Sequence, residues 1–407
     1  MSTLINTKLL GGTLLLTGTA IGGGLLAVPI ATAEAGFLNS SLLLTTCWLF
    51  MTASALLTLE VSLWLPKDAN IISMTRVFLN KGTTVIAWLS YLLLLYSIMA
   101  AYISEGANFI THLITPYFQK YPFQNIAALI FTAALGSIVY KGIVWVDYLN
   151  RGLMVAKLSL YALLVALISP HISAENLLLG SPYSAFKGFG VLITSFAYSN
   201  IIPTLRNYFQ DDVPNLRKAI LIGSTIPFVC YLLWNATIMG VIPLYSNHGL
   251  IQLSHSIDPV SSLMHQLNRL LNSHLIAILS NSFRCICVLT TFLTCSLGLS
   301  DFLADGLKLK KKTSYRNDWM IYGTTFLPPL CITLFFKSIF ITALQYAGIY
   351  CLILFCLLPV MIAWQGRYRL HRSSSAYQMS GGKPSLIILS IIAVVSLVCT
   401  IYNIVIY

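Results

Sequence analysis

Apolar stretches of about 20 residues recur from one end of the chain to the other, separated by short polar connections. A helix of that length crosses the hydrocarbon of a bilayer. The pattern predicts eleven spans, at about 9–33, 37–63, 83–113, 122–140, 152–169, 187–206, 217–242, 273–304, 319–336, 339–364 and 385–405. The third and eighth exceed the bilayer thickness and are expected to tilt or to project from it. No connection has the length of a soluble domain, although the longest, about 243–272, has room for a short surface helix. The expected fold class is an all-α polytopic membrane protein, with residues 1–407 as one membrane domain.

Two spans break the pattern. The first carries Gly22, Gly23 and Gly24 in succession, and each glycine costs a helix about 1 kcal/mol against alanine. The sixth holds Ser199 and Asn200 followed by Pro203, and a proline inside a helix removes a donor and clashes with the preceding turn. Backbone opened inside hydrocarbon must find partners within the protein or line a cavity. Breaks in spans one and six fit two five-helix units, 9–169 and 187–364, related as an inverted repeat, with 385–405 as an additional helix. Glycine and proline also make packing notches and kinks in membrane helices; two polar breaks at equivalent ordinal positions favour the repeat. Gly11, Gly12 and Gly18 offer close helix packing.

Composition agrees with a membrane protein: 57% of residues are hydrophobic and 9% charged, against about 25% charged in soluble domains. The net charge of +12 raises nucleic acid as a partner, but its distribution excludes that reading. With the N-terminus cytoplasmic, the inner face receives 18 of the 24 basic residues, among them Lys67, Arg76, Lys81, Arg206, Lys308, Lys310, Lys311 and Lys312. The outer face receives Lys120, Lys187, Arg269 and Lys337, and Lys157 and Arg284 fall within spans. This is the positive-inside asymmetry, and eleven spans then put the C-terminus outside. The first span lacks a small-residue cleavage site and reads as retained. The nine cysteines sit in apolar segments without thiolate-site spacing; they read as small buried residues.

Specific blocks carry a resemblance: Gly18-Thr-Ala-Ile-Gly-Gly-Gly-Leu-Leu-Ala-Val-Pro29, Ala100-Ala-Tyr-Ile-Ser104, Gly223-Ser-Thr-Ile-Pro227, Leu297-Gly-Leu-Ser-Asp-Phe-Leu-Ala-Asp305 and Thr325-Phe-Leu-Pro-Pro329. On these, almost the whole chain resembles the bacterial hydroxy and aromatic amino acid permeases of the amino acid–polyamine–cation superfamily, tyrosine-specific members above all. The resemblance implies proton-driven uptake of an aromatic amino acid across the bacterial inner membrane. It also implies eleven spans and a five-plus-five core working by alternating access. It implies no cofactor.

An amino acid zwitterion needs partners for both charges in a low-dielectric site. Freed N–H groups at Gly22 to Gly24 suit the carboxylate, aided by the start of the following half-helix. Carbonyls at Thr19, Ala20 and Ile21 suit the ammonium, with further carbonyls at Phe196, Ala197 and Ser199 and the side chain of Asn200. For the aromatic ring, the candidates are Tyr102, Phe196, Tyr198 and Phe326, weighed against 20 phenylalanines and 21 tyrosines that mostly pack against lipid or helices. A phenol needs a polar partner for strong discrimination, and Ser104, Asn108, Thr194 and Thr291 are the candidates.

Four intramembrane charges bear on coupling or gating. Lys157 reads as lying one turn into span five; in proton-coupled relatives a lysine there resembles a replacement for a bound cation, against the alternative of snorkelling to headgroups. Glu60 lies near the inner end of span two, where gating or packing would employ it. Glu105 stands where relatives have a small residue, and Arg284 in span eight is its available partner. Asp301 and Asp305 read as gate or cap residues beside Lys308 to Lys312. His248, His255, His265 and His274 show no compact ligand spacing. No catalytic or metal-binding residue is assigned.

A membrane enzyme would need a cluster of acids, bases or ligands. A channel would need a continuous pore, which the asymmetric breaks do not favour. A non-transporting amino acid receptor on the same fold stays open, as do tryptophan and broad aromatic selectivity.

Overall fold

Because hydrocarbon offers the backbone no hydrogen bonds, the apolar stretches satisfy their own as helices. The computed structural model describes residues 2–67, 69–114, 123–309, 311, 314–336, 339–372 and 377–406. The face assignments of Lys120, Lys310, Lys312 and Lys337 lie outside the described residues.

The first half carries α1 (Ser2–Ala20), α2 (Gly24–Ala31), α3 (Gly36–Ser62), α4 (Ile71–Phe78), α5 (Lys81–Ile114), α6 (Gln124–Lys141) and α7 (Ile143–Ile168). A short α8 (Ala174–Leu178) leads to α9 (Phe189–Ser195), α10 (Ile202–Phe209), α11 (Val213–Val241), α12 (Leu250–Ser254) and α13 (Pro259–Leu271). The chain ends with α14 (His274–Gly306), α15 (Tyr315–Phe335), α16 (Phe340–Leu352), α17 (Leu358–Tyr368) and α18 (Gly382–Ile406).

Among the described residues, eight stretches are long and apolar enough to cross a membrane, and α1 with α2, bent by 48° at their junction, makes a ninth if counted as one. Length and apolarity thus pick out eight or nine of the eleven expected stretches. Helices do occupy the fourth and ninth stretches, as α6 and α15, but polar residues take up their ends: Gln124, Asn125 and Lys141 in one, Arg316, Asn317 and Asp318 in the other.

One boundary changes an inference. Span five was expected from residue 152, yet α7 starts at Ile143. Its first turns hold Asp147 and Arg151, which lower the local hydropathy but pair across one turn at 2.7 Å. Lys157 therefore sits in the middle of α7 and is 1% exposed, so snorkelling is ruled out.

Packing joins distant segments: α5 lies on α16, α14 on α7, α1 on α11 and α9 on α16. The α9–α16 crossing is set by Gly190 and Gly348, where a Cβ on Gly348 would overlap the Gly190 carbonyl. Gly11 and Gly12 seat the rings of Tyr208 and Phe209 from α10. Between α16 and α17, Ile353–Leu357 form a wider turn of helix, and Ser54 donates to the Phe355 carbonyl there.

The connections after α3 and α11 each carry an amphipathic helix. Asn70 caps α4 by accepting from the Ser73 N–H at 2.9 Å. Asp258 caps α13 by accepting from the Ser261 N–H at 3.2 Å. The connection after α11 holds two helices, α12 and α13, where one was expected.

Candidate functional site

The three glycines open the helix as their propensity demands, but one residue earlier than expected. α1 stops at Ala20, Ile21 to Gly23 are non-helical, and Gly24 already begins α2. The Lys157 ammonium donates to the Ile21 carbonyl at 2.6 Å and approaches Thr290 Oγ1 at 3.4 Å. The Tyr231 hydroxyl donates to the Ala20 carbonyl at 2.9 Å. Two of the three carbonyls expected to face an ammonium thus already have protein donors. Thr19 is exposed, and its hydroxyl donates back to Leu16 at 2.7 Å.

The glycines are also where side chains press closest. A Cβ on Gly23 would overlap the Tyr102 hydroxyl, and one on Gly24 would meet the Ser195 and Tyr231 hydroxyls. Beside Gly22, Thr291 Oγ1 would stand 3.3 Å from such a Cβ. Tyr102 therefore belongs, by its hydroxyl, to the backbone end of the site rather than to a ring pocket. Its ring meets Phe340 edge-on, with centroids 5.8 Å apart.

The second break also starts early. α9 ends at Ser195, Phe196 and Ala197 leave the helix, and Tyr198–Ile201 make a single tight turn before α10. Pro203 falls in the first turn of α10, where no N–H partner is needed, so it opens a helix rather than breaking one. Phe196 is fully buried and edge-on to Tyr231 at 5.5 Å. Tyr198 turns to α3, its hydroxyl 2.7 Å from Thr52 Oγ1. Ser199 is buried with its Oγ unpartnered, whereas Asn200 is exposed; both line a half-open cavity of about 280 Å³.

Three other pocket candidates lie elsewhere. Asn108 accepts from Gln124 Nε2 at 2.8 Å. Thr194 donates to the Leu344 carbonyl at 2.9 Å. Phe326 stacks on Phe292 at 6.1 Å, which in turn meets Phe131 edge-on at 5.1 Å. Ser104 is two residues from Tyr102, hence on another helix face, and its hydroxyl is buried without a partner. The structure gathers Tyr102, Phe196, Thr291 and Lys157 around the breaks. It adds Ser195, Tyr231, Thr290 and Phe340, which sequence reasoning missed. Only the buried tyrosine in an otherwise apolar span, with its need for a partner, offered a signal.

The remaining charges are paired. Arg284 Nε donates to Glu105 Oε1 at 2.5 Å, and both side chains are 1% exposed. Arg284 Nη2 also reaches Asp258 Oδ2 at 3.3 Å, which His112 Nε2 meets at 3.0 Å. Glu105 Oε2 has no partner. Burial pushes the Asp258 carboxyl up, but the His112 hydrogen bond and the Arg284 charge together hold it below the ordinary carboxylate range. Glu60 accepts two hydrogen bonds from Arg367 and one from the Met379 N–H at 2.8 Å, which ties α3 to α17. Lys311 bonds Asp301 at 2.5 Å and Ser300 at 2.7 Å. Among the described residues, no three His, Cys, Asp or Glu side chains are grouped to hold a metal ion.

The chain is 31% identical to the tyrosine-specific transport system 2 of Haemophilus influenzae, covering 96% of each chain. It is 29% identical to the tryptophan-specific transport protein of the same organism, covering 92% of this chain and 91% of that one. It shares its fold with the crystal structure of MhsT in complex with L-phenylalanine, at a TM-score of 0.65 and 16% identity over 97% of this chain and 98% of that one. The pattern of the tryptophan/tyrosine permease family matches residues 5–400. With that match over nearly its whole length, the chain belongs to the tryptophan/tyrosine permease family and is a transporter, not an enzyme.

Proposed function

We propose that this protein imports an aromatic amino acid, tyrosine first, by proton symport and alternating access in a bacterial inner membrane. The observation that carries the reading is the opened Ile21–Gly23 backbone, with the Lys157 ammonium on its Ile21 carbonyl at 2.6 Å. The amide end of α2 suits a carboxylate, and the Tyr102 and Tyr231 hydroxyls stand beside it. Remaining lone pairs at Ala20 and Ile21, with carbonyls at Phe196 and Ala197, suit the ammonium. Phe196, Tyr231 and Phe340 are the aromatic surfaces nearest the breaks.

Helices at all eleven predicted positions support an eleven-span chain in which α1–α2 and α9–α10 are broken spans one and six. Reciprocal packing supports the inverted repeat: α5 on α16 matches α14 on α7. The amphipathic helix after α3 likewise matches those after α11. The basic residues support a cytoplasmic N-terminus and an external C-terminus. Asn70 and its cavity then lie on the inner side, and the Asp258, Arg284 and His112 cluster on the outer side.

Lys157 is the proposed coupling group: charged, it holds the Ile21 carbonyl; neutral, it releases it. The named tyrosine-specific relative supports tyrosine, and the tryptophan-specific one keeps tryptophan as the alternative. The test is uptake of labelled tyrosine, tryptophan and phenylalanine into proteoliposomes under imposed pH or sodium gradients. Accumulation of tyrosine driven by an inward proton gradient is expected. Binding without accumulation under either gradient overturns transport in favour of a receptor, and sodium-driven accumulation overturns proton coupling. Gly23→Ala protein that inserts normally yet transports like the wild type overturns the site.

A further inference from the structure

The half-open cavity of about 280 Å³ between α3, α10 and α14 does not include the glycine break. At its mouth stand Asp301 and Asp305, one turn apart on α14 and both exposed. Asp301 already holds the Lys311 ammonium at 2.5 Å, so this mouth is built to take a primary ammonium. The Asp305 side chain has no hydrogen bond or ion pair among the described residues.

Two further features point to a ligand. Ser199 is 1% exposed and lines the cavity, yet its hydroxyl is unpartnered; a buried hydroxyl in that state is completed by something that enters. Tyr91 and Phe302, tilted against each other at 4.8 Å, supply an aromatic wall. None of the lining residues is basic. At the mouth Lys311 is already bonded to Asp301 and Ser300, so among the described residues the cavity can hold an ammonium and a ring but offers no uncommitted cation to a carboxylate.

We infer that this cavity is a second binding site, selective for the ammonium and ring of an aromatic amino acid and separate from the Ile21–Gly23 break. The inference rests on the proposed transport of aromatic amino acids. Asp305 takes the ammonium, Tyr91 and Phe302 together wall one side of the ring, and Ser199 and Asn200 meet its polar end. The carboxylate is left to solvent at the mouth. With no uncommitted cation for the carboxylate among the described residues, the site takes tyramine as readily as tyrosine. The glycine break, whose amides suit a carboxylate, rejects tyramine. A ligand lodged beside α10 obstructs its movement, so amino acid accumulated inside slows further import.

The test is equilibrium binding of labelled tyrosine to the purified full chain, with tyramine as competitor. Two sites are expected, and tyramine displaces only the weaker. Asp305→Asn weakens that site about tenfold, as loss of a charge-assisted contact would, and leaves the tighter site intact. The same variant relieves inhibition of uptake by tyrosine preloaded into proteoliposomes. Saturation at one site in a wild-type protein that transports normally overturns this inference alone. Two sites whose tyramine displacement is unchanged in Asp305→Asn also overturn it. Failure of tyrosine, tryptophan and phenylalanine alike to bind or be transported overturns the transport reading and this inference with it.

Discussion

Lys157 and Ile21 lie 136 positions apart, yet the lysine ammonium donates to the isoleucine carbonyl at 2.6 Å inside the membrane. The contact joins α7 to the carbonyl released where α1 stops.

Lys157→Met keeps the bulk and removes the donor. Its uphill, pH-driven tyrosine accumulation is expected to fall more than about tenfold, the scale of one charge-assisted hydrogen bond. Lys157→Arg is expected to fail too, because guanidinium stays protonated and cannot cycle. Proteoliposome uptake under a pH jump measures both, and full accumulation by either variant counts against the coupling role.

The glycines should not be equivalent. A methyl on Gly22 meets Thr291 Oγ1 at 3.3 Å, whereas on Gly23 or Gly24 it collides with tyrosine and serine side chains. Gly22→Ala is expected to retain more uptake than Gly23→Ala or Gly24→Ala at matched membrane levels. An inverted order would show that packing around the break is not what the glycines serve.

Glu105 and Arg284 test a buried pair. Removing Arg284 leaves Glu105 buried and uncompensated, at a cost of about 3–5 kcal/mol, whereas removing Glu105 leaves Arg284 its 3.3 Å contact with Asp258. Glu105→Gln and Arg284→Met should each lower thermal stability in detergent, and the double variant should lose less than their sum. Strictly additive losses would mean that the 2.5 Å contact carries no coupling.

Asp258 and His265 set a pH dependence. Asp258 has a folded pKa below its unfolded value, because His112 and Arg284 outweigh burial. Its stabilisation is therefore complete above the ordinary carboxylate pKa of about 3.9 and is lost as pH falls through the lower folded value. Burial first, then His112 and Arg284, lower His265 as well, so it resists protonation when folded. Stability attributable to His265 falls as pH drops below about 6.5, where the unfolded chain takes the proton and the folded chain does not. Thermal melts should show His265→Gln flattening the curve below that pH. The gap between wild type and Asp258→Asn should close only in stronger acid.

The helical membrane architecture and the first break were legible because both are written in local chemistry: hydropathy over about 20 residues and three glycines in a row. The site's far walls were not. Tyr231 and Phe340 sit in apolar runs with nothing local to separate them from packing residues, and only folding carries them to Gly24 and Tyr102. Lys157 was placed too near the surface because Asp147 and Arg151 masked the first turns of α7. Phe326 and Asn108 were assigned by residue type, and the fold gave them other partners.

The glycine crossing of α9 and α16 has a mechanical consequence. With Gly190 against Gly348 and Thr194 bonded to Leu344, α9 has its backbone docked on α16. α10 is held by side chains instead: Tyr208 and Phe209 sit on Gly11 and Gly12 of α1, and Arg206 bonds the Ser62 and Leu65 carbonyls and Asp211. The two helices that flank Phe196–Ile201 are thus held by different means, α9 through its backbone and α10 through side chains, so a shift of α10 against α9 has to break the Arg206 contacts to Ser62, Leu65 and Asp211.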